Sequence, residues 1–351
     1  MTKGEVEGGR HINPVRERPG LFFRLLETGL ISLFYLSKFM FMLLPASLFY
    51  RAFRLLGKLV FLARRGMGER LQEKIRQALP ELSTGEVRRI AQEVCAAAIF
   101  PILDLFLMAK HRGEIMSNLQ VEGWENLERA EAMGKGVLFT TGHIGMYPIL
   151  HAVLYHMGKP YTPVMYYPED TPLPRYVDAM ARQAYDLGAD PENPVFWAGQ
   201  DTLNRIRVHL EKGKRACITF DVDGSGLVTF FGRPAALATG LAHFSLQLGT
   251  PIVPFALFRG EDLFHNRLVF YPPILPHPGR DKREEIPRIM QEVVEAGERM
   301  IRQAPGQWMS WFGLWHWWEE GEKLSREAKA RGEGGKKRQG EDDTPGSPGS
   351  G

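Results

Sequence analysis

From Val137 onward the chain settles into one rhythm. The short β-rich runs GVLFTT, YTPVMYY, ACITF, LVTFF, PIVPFALF and RLVFY follow one another, most of them separated by helix-length segments such as Thr171 to Leu187 and Asp201 to Lys212. That alternation predicts an α/β fold, a central mixed sheet flanked by helices. Gly188, Gly213 and Gly249 stand where helix ends favour glycine, and the last long helix is expected from about Glu284 to Gln303. With 351 residues, 44% of them hydrophobic and 24% charged, the chain is long enough for the core of one large domain or two small ones.

Ahead of the sheet lies an apolar stretch, LFFRLLETGLISLFYLSKFMFMLLPASLFYRAFRLLGKLVFLARR. On a helix drawn through Leu21 to Leu44, Arg24, Glu27 and Lys38 fall within roughly 60° of one another at about 100° per residue, leaving one polar stripe on a greasy body. Pro45 breaks the pattern, and Arg51, Arg54, Lys58 and Arg65 gather on one side of a second helix rich in Leu and Phe. The pair is read as a membrane-interface helical hairpin, with the polar stripe facing water. A pair of core helices and a single span with Lys38 buried are the competing readings.

The expected organisation is a polar segment over residues 1–20, the hairpin over 21–65, an α/β domain over 66–320 and a disordered tail over 321–351. The tail runs to Lys, Glu, Gly, Pro and Ser, which bury too little apolar area to order themselves. Ser83 and Glu86 form a capping-box pattern ahead of a further helix. Net charge is only +3 with the basic residues interspersed among acidic ones, so nothing electrostatic calls for nucleic acid. Cys95 and Cys217 lie far apart with no C-x-x-C pair, which argues against a disulfide framework or a structural zinc and fits a reducing, cytosolic setting. No cleavable signal is evident in the polar first twenty residues.

Two stretches carry chemistry. In GVLFTTGHIGMYPILHAVLYH, a strand ends near Thr140, His143 sits in the loop and Pro148 stands where the next helix begins. Loops at the carboxyl ends of sheet strands are where α/β enzymes place reactive groups, although a lone loop histidine is by itself more often an ordinary polar side chain. The second stretch is KRACITFDVDGSGLVTFFGRPAALATGLAHFSLQLGTPIVPFALFR. Its Asp221, Asp223, Ser225 and Gly226 match the early positions of a calcium loop. The twelfth position, however, is Gly232 rather than Glu, and the flanks are strands, so calcium is discounted. A strand ending in D-x-D is also how metal-dependent glycosyltransferases share a divalent cation between two carboxylates, and that remains a competing reading.

TTGHIGMYPI, the YYP of residues 166–168 followed by Arg182 and Gly188, the ITFDVDG to TFFGRPA block, GTPIVPFALFR and QWMSWF succeed one another in an order that resembles the lipid A biosynthesis acyltransferases of the lauroyl/myristoyl type. The resemblance covers roughly Leu21 to Trp318. It implies an enzyme of the cytoplasmic face of the bacterial inner membrane that moves a fatty acyl chain from acyl carrier protein, with acyl-CoA second, to a hydroxyl of a lipid acceptor. It implies no cofactor and no metal. His143 would be the base that takes the acceptor hydroxyl proton.

In the family a carboxylate five residues after that histidine orients the imidazole, and here the position is Pro148. Three accounts compete. Asp221 or Asp223 substitutes from across the groove; His143 works unassisted; or the chain is a lipid-binding protein that kept the fold and lost the chemistry. The resemblance further assigns substrate contacts to Gly145, Arg182, Asp223, Phe231, Gly232 and Arg259, the two arginines as partners for phosphate and Phe231 with Gly232 as an apolar wall and close backbone approach beside the acyl groove. The five tryptophans from Trp308 to Trp318 offer an interfacial belt beside the amino-terminal hairpin as an alternative reading.

Overall fold

The computed structural model describes residues 21–165, 174–188, 190, 192–197 and 201–341. The polar segment 1–20, the YYP stretch at 166–168 and residues 342–351 lie outside the described residues. Five helices come first: α1 (Leu21–Leu43), α2 (Ala46–Ala63), α3 (Arg65–Ala78), α4 (Thr84–Ala97) and α5 (Phe100–Ser117). The sheet elements follow as β1 (Gln120–Glu122), α6 (Trp124–Glu131), β2 (Val137–Thr140), α7 (Leu150–His156), β3 (Thr162–Met165), α8 (Pro174–Asp186), β4 (Phe196–Trp197), α9 (Thr202–Glu211) and β5 (Arg215–Cys217). Then come β6 (Asp223–Phe230), β7 (Arg233–Leu237), α10 (Gly240–Leu248), β8 (Ile252–Phe258), β9 (Arg267–Phe270), α11 (Lys282–Gln303) and α12 (Leu314–Glu341).

The main sheet has the order β1-β9-β8-β2-β5-β3-β4, parallel throughout except for the antiparallel pair β8–β9. Strands β2 and β8 are buried along their whole length, as central strands covered on both faces must be, which is why they read as unbroken apolar runs. Successive residues serve opposite faces. Leu138, Ile252 and Ala256 pack with α4, α10 and α11, whereas Phe139, Val253 and Phe255 pack with α1, α5 and α7. The β6–β7 hairpin forms a separate two-stranded sheet. Ser83 caps α4 as expected, its hydroxyl accepting from Glu86 N–H while the Glu86 carboxylate accepts from Ser83 N–H at 2.8 Å.

Helix α1 lies along the body with Glu27 and Lys38 of its polar stripe turned inward and Arg24 exposed, which corrects the expectation that the whole stripe faces water. Glu27 is only 2% exposed and accepts the backbone N–H groups of Arg175 and Tyr176, the free donors at the start of α8. Lys38 donates to Gln183 further along α8. Phe34 and Phe41 meet Phe106 of α5 at ring-centroid distances of 5.3 and 5.7 Å. The opposite face of α1 is therefore apolar and open, with Leu21, Phe22, Leu25, Leu33, Leu36, Phe39 and Leu43 exposed. α1 is long and apolar enough to cross a membrane by length and composition. After Pro45, α2 lays Gly57 against Ala96 of α4 so closely that a Cβ on Gly57 would sit 2.7 Å from its backbone. Arg51, Arg54 and Lys58 are exposed, and so are Leu55, Leu59 and Leu62.

Two expectations at the carboxyl end change. The tail expected to be disordered from residue 321 begins as a continuation of α12, which runs to Glu341. Gly321 is packed on β7, where a Cβ would come within 2.4 Å of Ala235 backbone atoms, and Glu322 pairs with Arg233 at 2.5 Å. The tryptophans are not a belt at a membrane surface: Trp308, Trp311, Trp317 and Trp318 are buried around Phe230 and Phe231. Trp315 is half-buried beneath Lys74.

Candidate active site

Strands β2 and β5 are parallel neighbours, so the loops that leave their carboxyl ends start side by side. The ladder runs past the strands themselves, Ile218 N–H donating to Phe139 O and Phe220 N–H to Thr141 O, both at 3.1 Å. This register carries Asp221 to His143. The His143 ring Nδ1 lies 2.9 Å from Asp221 Oδ1, and the His143 backbone N–H donates to Oδ2 at 2.9 Å. Two more donors end on Oδ2, the Trp308 indole Nε1 at 3.0 Å and the Ser310 hydroxyl at 2.8 Å.

Asp221 is buried, which by itself raises a carboxyl pKa, but the charge on His143 and these hydrogen bonds prevail and hold it below the ordinary aspartate value. The charge on Asp221 in turn raises His143 above the ordinary histidine value, against the opposing effect of burial. An ionised carboxylate only accepts, so Nδ1 carries the proton that points at it and Nε2 is left with its lone pair free. The His143 side chain is 35% exposed, so that lone pair is reachable from outside. Chemically, such an arrangement can supply a base, a group that fixes its tautomer, and an approach. Tyr147 stands edge-on to the imidazole at 5.1 Å between centroids.

The loop is clamped by the segment after α11. Ile144 pairs with Trp308 in an antiparallel bridge, Met309 N–H donates to His143 O at 2.9 Å, and Gly145 N–H donates to Gln307 O at 3.0 Å. The Gln307 side chain accepts from Arg259 N–H and donates to Arg259 O, at 2.9 and 3.0 Å. Pro148 sits inside a 3₁₀ turn, Tyr147–Ile149, and contributes shape rather than charge.

Several sequence-assigned contacts resolve differently. Gly145 has φ +62°, and a Cβ there would lie 2.1 Å from Leu257 O; its N–H and carbonyl both face protein, so it is a backbone crossing rather than a substrate contact. Arg259 is buried and spends its guanidinium on Asp104, Nε at 3.2 Å and Nη2 as a second contact, while Tyr50 donates to Asp104 at 2.6 Å. It is the counter-ion of a buried carboxylate and is not free for phosphate. Arg182 is exposed on α8, and no contact among the described residues joins it to His143.

Asp223 lies on the outer side of the same turn and accepts the Trp317 indole at 2.5 Å. Since Asp221 Oδ2 already holds three donors and Asp223 turns away to Trp317, the D-x-D pair does not converge as a shared metal site would require. No group of three potential metal-binding side chains occurs among the described residues. Phe231 and Gly232 are the two turn residues of the β6–β7 hairpin, with φ +50° and +72°. Phe231 is buried against Trp308 and Trp311. Gly232 is exposed, and a Cβ added there would have nothing within 4 Å, so it answers to turn geometry and not to a close approach.

The site residues that the sequence left unassigned are Ser310 and Gln307, and Trp308, assigned to a belt, instead donates to Asp221. The signal was present in QWMSWF, where one hydroxyl sits among aromatics. Only the pairing of Ile144 with Trp308 shows that it faces Asp221.

A model of the family described as bacterial lipid A biosynthesis acyltransferase matches residues 21–316. No curated protein matches the chain. Among solved structures, the chain is similar to the crystal structure of the 1-acyl-sn-glycerophosphate (LPA) acyltransferase PlsC from Thermotoga maritima. That likeness is at 16% identity and TM-score 0.34, covering 73% of this chain and 95% of that one. The family match takes in α1 through the start of α12 and encloses the whole His143 site, and the chain belongs to the bacterial lipid A biosynthesis acyltransferase family.

Proposed function

We propose that the protein transfers a fatty acyl chain from an acyl carrier protein thioester, with acyl-CoA as the second candidate donor, to a hydroxyl of a lipid acceptor at the cytoplasmic face of the inner membrane, as in late acylation of a lipid A-type molecule. Family membership supports acyl transfer to lipids. The single observation that carries the reading is the His143–Asp221 pair with its free Nε2. His143 Nε2 takes the proton from the acceptor hydroxyl as that oxygen attacks the thioester carbonyl carbon. The resulting tetrahedral intermediate collapses with cleavage of the C–S bond, and the imidazolium returns the proton to the departing thiolate. Asp221 holds Nδ1–H throughout and offsets the imidazolium charge. The exposed leucine and phenylalanine face of α1 together with the leucines of α2 supports attachment flat on the membrane, since Glu27 and Lys38, two of the three charges of α1, are committed to α8.

The test is acyl transfer by the full chain in lipid vesicles, with acyl carrier protein and CoA thioesters offered separately. The expected result is turnover with at least one donor and none for His143→Ala. Equal background rates for both proteins with every donor, with lipid binding retained, would make the protein a lipid-binding member of its family.

A further inference from the structure

A separate depression lies away from His143. It lies where α2 passes into α3 across the single residue Arg64, has a volume of about 570 Å³, and is bounded on the far side by Phe312. Its polar lining is entirely cationic, Arg64, Arg65, Arg70 and Lys74, and its apolar lining includes Met67, Leu71 and Phe312. Lys74 is engaged, donating to Phe312 O at 3.0 Å and lying over the Trp315 ring, with Glu319 as its acidic neighbour. Arg64, Arg65 and Arg70 are exposed and make no ion pair or side-chain hydrogen bond among the described residues. The carboxylates of Glu69 and Glu73 open onto the adjoining depression, where Glu73 is paired with Arg76.

Cations gathered without counter-ions repel one another, and the repulsion is relieved when an anion enters. Three free guanidinium forks around one hollow suit a phosphate better than a single carboxylate, since each fork can make paired charge-assisted hydrogen bonds to phosphate oxygens. Inorganic phosphate has no use for the rest of the site. Leu55, Leu59 and Leu62, spaced i, i+4, i+7, form an exposed apolar row along α2 that ends at the hollow, and Met67 and Phe312 continue it. Phe312 belongs to the 3₁₀ turn Met309–Phe312, whose Ser310 holds Asp221.

We propose that this hollow binds the phosphate headgroup of a membrane amphiphile, with the apolar chains lying along α2, and so seats a phospholipid-type molecule beside the turn that holds the His143–Asp221 pair. The site is separate from the acyl-transfer reading and does not depend on turnover.

The probe is dihexanoyl phosphatidic acid below its micelle concentration, titrated into the full chain by calorimetry. The controls are dihexanoylglycerol, which has the chains without the phosphate, and inorganic phosphate. The expected result is saturable binding of phosphatidic acid, at least tenfold weaker binding of either control, and a loss of about tenfold or more in Arg65→Gln/Arg70→Gln. His143→Ala should bind as the unsubstituted protein does. Inorganic phosphate binding as tightly as the lipid would leave only a bare anion site and overturn the proposal, as would unchanged lipid affinity in the double variant. Turnover measured on the same proteins keeps the two readings apart, because a chain that binds the lipid yet never transfers an acyl group sinks the acyl-transfer reading and supports the phosphate site.

Discussion

Asp221→Asn is the sharpest perturbation of the site, because it exchanges one atom and leaves the packing alone. Of the four hydrogen bonds on the carboxylate, three end on Oδ2, from His143 N–H, Trp308 and Ser310, and one on Oδ1, from His143 Nδ1. An asparagine keeps the larger set by placing its carbonyl oxygen at the Oδ2 position, which puts its NH₂ group against Nδ1. The imidazole must then accept at Nδ1 and carry its proton on Nε2, where the lone pair is needed. The lost charge also withdraws the attraction that raises His143. Stability should fall modestly, on the order of 1–3 kcal/mol, the range for one altered hydrogen bond to a charged group. Turnover should fall by about 10³ to 10⁴, the cost seen elsewhere when an orienting carboxylate is amidated and the wrong tautomer results. Single-turnover acyl transfer, with thermal unfolding as the control for folding, measures both. A rate within threefold of the unsubstituted enzyme, alongside an inactive His143→Ala, would refute the assignment of Asp221. Pro148→Glu, which restores the carboxylate five residues after His143, should then be neutral or harmful, since a second negative charge joins a base that already has its partner. A rise in rate would mean that Asp221 does not fill that role.

Four further outcomes follow from the contacts described above. Transfer should rise with pH through a midpoint above the ordinary histidine value of 6.5, because Asp221 raises His143 and only the neutral base accepts a proton; a pH–rate profile checks this, and its acid limb should move to lower pH in Asp221→Asn. The same raised pKa means that the stabilisation linked to His143, while Asp221 is ionised, is fully present below pH 6.5 and is lost as pH climbs through the folded-state value of the histidine. Arg259→Ala should destabilise the fold by about 3–5 kcal/mol in denaturant titration, since it strands buried Asp104, and an unchanged midpoint would contradict the buried pairing. Gly145→Ala should cost roughly 1–3 kcal/mol from the left-handed backbone alone, with the contact at Leu257 O adding to it, and activity should fall with the displaced His143 loop.

The periodicity of the chain determined many of its elements by itself, and for local reasons. β2 and β8 read as strands because continuous apolar runs of that length suit positions buried on both faces; the capping box at Ser83 and the helix break at Pro45 depend on neighbours a few residues away. His143 was legible for the same reason, as a histidine in the loop after a strand. The long-range partnerships were decided in three dimensions. Asp221 reaches His143 across 78 positions only because β5 lies beside β2, and Ser310 reaches Asp221 only because the segment after α11 folds back to pair with Ile144. Helix spacing placed Arg24, Glu27 and Lys38 on one side of α1 but carried no information on what that side faces; the open backbone donors of α8 supply the answer for Glu27. Arg259 looked like a phosphate ligand because a sequence shows a charge and not its counter-ion, and Asp104, which neutralises it, lies 155 positions away. Periodicity reports the face of an element, whereas the identity of a partner depends on which strand order the chain adopts, and that is settled by packing of the whole core.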